Sequence, residues 1–153
     1  MSEVLTMTSA ELVADLAING PGARCKISES LYEDAVYALP THYSLTKTIL
    51  PAFEQWQHDQ GIWRDWRKKY DCDDYAIAFQ YFSQRCFANT ADETDAEGYA
   101  VMRCSYKING DKHGGHKINL VKSDRGFDFI EPQTAMIVEL TRVERDSVWF
   151  INR

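Results

Sequence analysis

Residues 72–87 read CDDYAIAFQYFSQRCF, the longest run of helical apolar spacing in the chain's middle third. Tyr75, Ala76, Phe79, Phe82 and Cys86 recur at steps of three and four, the spacing that lines one face of an α-helix. Asp73 and Asp74 fall in its first turn, where negative charge suits the positive end of the helix dipole. A helix with so wide an apolar face belongs at the centre of the molecule. Upstream, Thr8 and Glu11 fit a capping box for a helix over 9–19, with Leu12, Val13 and Leu16 on its apolar face and Gly20-Pro21 as its stop. The run LYEDAVYAL (31–39) has helical spacing and ends at Pro40. Ser44 is placed to cap a further helix carrying Leu45, Ile49, Phe53 and Trp56, which Pro51 kinks or shortens by a turn.

Downstream the pattern changes. Residues 88–98 (ANTADETDAEG) lose hydrophobicity and gain acids, as a loop does. Four short β-rich runs follow, YAVMRCSY (99–106), HKINLV (116–121), FDFI (127–130) and MIVEL (136–140). Turn chemistry separates them at Asn109-Gly110, Gly114-Gly115 and Asp124-Arg125-Gly126. Helices first and an antiparallel sheet second predict an α+β fold in one domain over 1–153, its central helix packed on a C-terminal sheet.

Composition narrows the function. With 153 residues, 44% of them hydrophobic, the chain is long enough for a core without staples. Its 17 basic residues against 23 acidic ones give a net charge of −6, which argues against a nucleic-acid or polybasic membrane partner. No apolar run approaches the ~20 residues of a membrane span, and MSEVLTMTSAEL lacks the pattern of a signal peptide, so a cytoplasmic setting is expected. Cys25, Cys72, Cys86 and Cys104 stand singly, with no CxxC pair. Cys25, Cys86 and Cys104 read as small core hydrophobes, His42 and His58 as surface or capping residues, and His113 as a loop residue.

Cys72 is different because it opens the central helix, and a helix start lowers a thiol pKa. His116 opens a strand after Gly114-Gly115, where backbone approaches closely, and Glu131 ends the next strand, placed to orient the imidazole. Asn119, further along the His116 strand, alternates to the other side and is a poor orienter. Trp63 and Trp66, just before Cys72, are candidates for a cleft wall.

The order of a Cys at a helix start, a His on a strand and a polar orienter on the next strand resembles papain-like and transglutaminase-like cysteine enzymes. More narrowly, YDCDDYA (70–76), GHKINLV (115–121) and FIEPQT (129–134) resemble the C-terminal cysteine-peptidase domain of the fairy-ring mushroom agglutinin and its small stand-alone relatives. The resemblance implies a papain-like domain with a Cys-His-Glu triad under calcium control, acting on a protein or peptide substrate. It implies Cys72 as nucleophile, His116 as base and then acid, and Glu131 as orienter. The sequence departs from the papain pattern in lacking a Gln shortly before the nucleophile. That window is RDWRKKYD, the nearest glutamines are Gln57 and Gln60, and no oxyanion donor is assigned.

Asp71, Asp73 and Asp74 flank the thiol, and three carboxylates disfavour a thiolate. A divalent cation held by them would reverse the local sign. All-oxygen ligands suit calcium, with manganese as substitute, and Asp92, Asp95 and Glu97 are further candidates. First-turn acids also serve the helix dipole without any metal. The leading expectation is a cysteine peptidase. The alternatives are a catalytically silent papain-like binding or inhibitory module, a transamidase or deamidase using the same residues, and a metal-binding regulatory domain.

Overall fold

A computed structural model describes residues 4–21, 25–66, 70–90 and 94–153. Strand β1 (Thr6–Thr8) leads into helix α1 (Ser9–Asn19), which has the capping box expected of Thr8 and Glu11. After β2 (Lys26–Ile27) the chain makes a 3₁₀ turn over Glu29–Tyr32 and then strand β3 (Val36–Ala38). The helix expected over 31–39 is therefore corrected. Val36, Tyr37 and Ala38 pair with β1 on one side and with β4 (Gly98–Tyr99) on the other, so ladder bonds outweigh an apolar spacing that also fits a helix.

The next helical segment starts earlier than expected. Thr41, rather than Ser44, caps it, its side-chain oxygen accepting the Ser44 N–H at 2.9 Å. Helix α2 (His42–Ser44) passes through a π-helical turn (Leu45–Ile49) into α3 (Leu50–Asp59). Pro51 has no N–H to give, and the wide turn just before it lets the helix continue rather than break.

Helix α4 (Cys72–Thr90) is the expected central helix, three residues longer at its C-terminal end. It is followed by β4, β5 (Val101–Lys107), β6 (Gly115–Ser123), β7 (Gly126–Glu131), β8 (Met136–Val138), α5 (Arg142–Asp146) and β9 (Phe150–Asn152). The main sheet has the order β2-β9-β5-β6-β7-β8 and is antiparallel except for the β2–β9 pair. The α+β expectation stands at this level.

Both faces of the main sheet are covered. Met102, Cys104, Ile118, Leu120 and Phe129 pack with Leu12 and Leu16 of α1, whereas Val101, Val121 and Ile130 share a second cluster with Phe53 and Phe79. Two-sided burial explains why Ile118 to Val121 are all buried instead of alternating with water-facing residues. Side-chain amides of α4 fix it along the sheet: Gln80 donates to the Val101 carbonyl at 3.0 Å, and Gln84 exchanges two bonds of 3.0 Å with Tyr99. Gly98 permits the second contact, since a Cβ there would lie 2.2 Å from Gln84 Oε1. Among the described residues, no helix is long and apolar enough to cross a membrane.

Candidate functional site

Cys72, His116 and Glu131 are brought together at one end of α4. His116 Nε2 donates to Glu131 Oε2 at 2.7 Å, and the ring lines one cleft with the Cys72 sulfur. Burial alone would lower the His116 pKa. Interaction with the Cys72 side chain and with the Glu131 carboxylate outweighs burial and raises it to about 9, which favours the imidazolium at neutral pH. Tyr106, cross-strand from His116, meets it edge-on at 5.7 Å. Burial, helped by nearby acids and thiols, pushes its phenol up to about 12, which leaves it a neutral wall. Burial also raises the thiols of Cys25, Cys86 and Cys104, in keeping with their reading as packing groups.

The aspartates have definite structural tasks. Asp71 Oδ1 accepts the Asp73 N–H at 3.1 Å, and Asp74 Oδ2 accepts the Asp71 N–H at 3.1 Å, a reciprocal cap on the first turn of α4. Asp73 Oδ1 pairs with Lys117 Nζ at 2.8 Å. Ligand atoms of Asp71, Cys72 and Asp73 lie within 4.8 Å of one another, while Asp74 stays outside this trio. Two carboxylates and a sulfur do not make the all-oxygen shell that calcium takes, and a cation would have to win Asp73 from Lys117. The trio as folded does not fit the expected calcium site. Glu97 is engaged elsewhere, accepting the Ala35 N–H at 2.7 Å, and Asp92 lies outside the described residues.

A cleft of about 310 Å³ opens beside the sulfur, lined by Cys72, Asp73, Ser105, His116, Lys117 and Trp149 among others. Trp149 is 44% exposed there. Trp63 does not line this cleft, packing instead on the His58 ring at 4.7 Å, and Trp66 is exposed outside it. Lys117 was legible in principle, because it follows His116 and strand alternation turns it toward α4. Trp149 carries no such signal, lying in a C-terminal segment without motif.

Two buried amides support the site from behind. Gln57 Nε2 donates to the Pro132 carbonyl at 3.0 Å, bracing the turn after Glu131. Asn119 Nδ2 donates to the Ala76 carbonyl at 3.0 Å and the Met102 carbonyl at 3.3 Å.

No protein-family model and no curated protein matches this sequence. Solved structures do. The Polyporus squamosus lectin bound to a human-type influenza-binding epitope, Neu5Acα2-6Galβ1-4GlcNAc, is 18% identical with a TM-score of 0.70, over 97% of this chain and 50% of that one. A PSL1a–E64 complex is 17% identical with a TM-score of 0.71, over 97% of this chain and 51% of that one. The chain thus spans about half the length of the solved structures it matches. At such identity the likeness establishes the fold.

The first of these neighbours is named as a lectin, and on that finding the expectation of a cysteine peptidase resembling the fairy-ring agglutinin domain, a thiol-protease hydrolase with a catalytic triad and a peptide substrate, is corrected. The alternative of a binding module agrees better with them.

Proposed function

We propose that this chain is a binding module whose ligand cleft is the one headed by Cys72 and His116. In this reading the arrangement is papain-like only in its layout, a helix bearing sulfur set against a sheet bearing imidazole and carboxylate. The observation that carries the proposal is a fixed imidazolium opening, with Lys117 and the half-exposed Trp149, on a cleft of about 310 Å³. That volume lies at the lower end of the ~300–1,000 Å³ typical of small-ligand sites.

The lining sets the ligand class. An imidazolium favours a carboxylate, with charge-assisted bonds stronger than neutral ones, while the Lys117 ammonium beside it is already paired with Asp73. Trp149 supplies a flat apolar face with a polar edge, suited to a ring such as a sugar. An acidic sugar satisfies both, and the sialylated trisaccharide of the lectin complex is the probe to use, with E64 as the second.

Titration calorimetry with the two probes tests the reading. Binding of the trisaccharide is expected to weaken about tenfold or more in His116→Ala, as loss of a charged hydrogen bond worth ~1.5–3 kcal/mol requires. Trp149→Ala should weaken it by a smaller factor. Affinity should also fall as pH rises through about 9, where His116 loses its charge. Equal affinity in both variants would sink the proposal for either probe. So would release of a product that stops in Cys72→Ala, because a binding module does not turn over.

A further inference from the structure

We propose that Asn119 is a positioning residue: its buried amide pins the first turns of α4 to β6 and so sets the separation between the Cys72 sulfur and the His116 ring. The inference rests on the reading of that cleft as the ligand site, but it concerns how the site is held rather than what enters it.

Strand alternation sends His116 to one face of β6 and Lys117, Asn119 and Val121 to the other, where α4 lies. Three rungs join strand to helix in register. Lys117 pairs with Asp73, Asn119 donates to the Ala76 carbonyl, and Val121 shares a buried cluster with Phe79. The first rung is partly exposed at Asp73 and the third is apolar, so neither fixes direction well. Asn119 is fully buried and binds carbonyls of both α4 and β5, through Ala76 and Met102. Ala76 is four residues past Cys72, one turn along the same helix face. A shift of α4 by one residue would therefore break the Asn119 bonds and carry the sulfur away from the ring.

Stability alone does not account for an asparagine here. Its Oδ1 finds no hydrogen-bond partner among the described residues, an unfavourable arrangement for a buried oxygen. Helix geometry already gives the Ala76 carbonyl the Gln80 N–H, so that carbonyl does not depend on Asn119. An apolar residue of the same shape would remove the unpaired oxygen and leave the Ala76 carbonyl satisfied. What it would lose is the directional tie, since hydrophobic packing is non-directional.

The test compares wild type with Asn119→Leu in the whole chain, reading the thermal midpoint, the NMR titration of His116, and the rate of Cys72 alkylation by iodoacetamide against pH. A positioning role predicts that Asn119→Leu keeps or raises the midpoint while the His116 titration falls by one pH unit or more and the Cys72 profile moves with it. Asn119→Thr, which keeps a donor, should restore part of the titration, and it is the variant to read where Asn119→Leu does not fold. The proposal is overturned when the His116 titration stays at its wild-type position, or when midpoint and titration fall together in both variants. These readouts need no ligand. A moved titration with a trisaccharide affinity that still falls at the wild-type pH in Asn119→Leu would therefore defeat the binding reading and leave the positioning role standing.

Discussion

Glu131→Gln is expected to lower the His116 titration and to remove a part, not the whole, of the pH dependence of stability that His116 supplies between pH 6 and 10. The carboxylate acts on the ring through a hydrogen bond and through charge, and the neutral amide keeps only the first. In the folded chain the His116 pKa is raised from 6.5 to about 9. A raised histidine pKa means that protonation favours the folded state, so this stabilisation is complete below pH 6.5 and is lost as pH rises through about 9. The full shift would correspond to ~3 kcal/mol, solvent screening of a pair 17% and 20% exposed brings it to about 2 kcal/mol, and the share of the Glu131 charge, with Cys72 and the amide bond still in place, is about 1 kcal/mol. Urea unfolding at pH 6, 7.5 and 10 measures it. Wild type should exceed the variant by about 1 kcal/mol at pH 6, and the two should converge by pH 10. A constant offset at all three values would show that Glu131 acts by packing and not by charge.

The parts of the fold legible in the sequence are those where local chemistry and tertiary packing agree. The Thr8–Glu11 capping box closes α1 because both partners are local, and α4 forms because its apolar spacing matches a two-sided core. Reading failed where a distant partner decided the outcome. Val36 to Ala38 have a spacing that serves helix or strand, and only β1 and β4, both far away in sequence, make it a strand. Likewise β9 joins the sheet between β2 and β5, and nothing near Phe150 announces that neighbourhood.

The site divides in the same way. Cys72, His116 and Glu131 were legible as a group because each sits at an element boundary that its neighbours mark. Their use was not, since a thiol beside an imidazolium serves binding as well as chemistry. For the aspartates the sequence leaves two tasks open, because one residue type serves both a metal and a helix start. Asp71 and Asp74 cap the helix and Asp73 meets Lys117, contacts that require knowing which strand α4 lies on. Strand alternation points Asn119 away from the imidazole, and that same direction brings it to α4.

Phe79→Ala is expected to be the most destabilising single substitution in α4, at ~3–5 kcal/mol. The ring is fully buried and meets Phe53 edge-on at 5.1 Å, while Val101, Val121 and Ile130 of the sheet belong to the same cluster. Deleting it leaves a void that α3, α4 and the sheet must all move to fill, and close-packed interiors collapse only in part. For a chain of this length ~3–5 kcal/mol lowers the thermal midpoint by roughly 10 °C. Phe82 lies one turn on, 5.4 Å from Phe53, but is only partly buried, so Phe82→Ala should cost distinctly less. Calorimetry of the two variants ranks them. A larger loss in Phe82→Ala would mean that α4 is held by its contact with α3 rather than by the sheet. The helix that carries Cys72 would then be free to shift against His116, and the fixed imidazolium of the cleft would lose its physical basis.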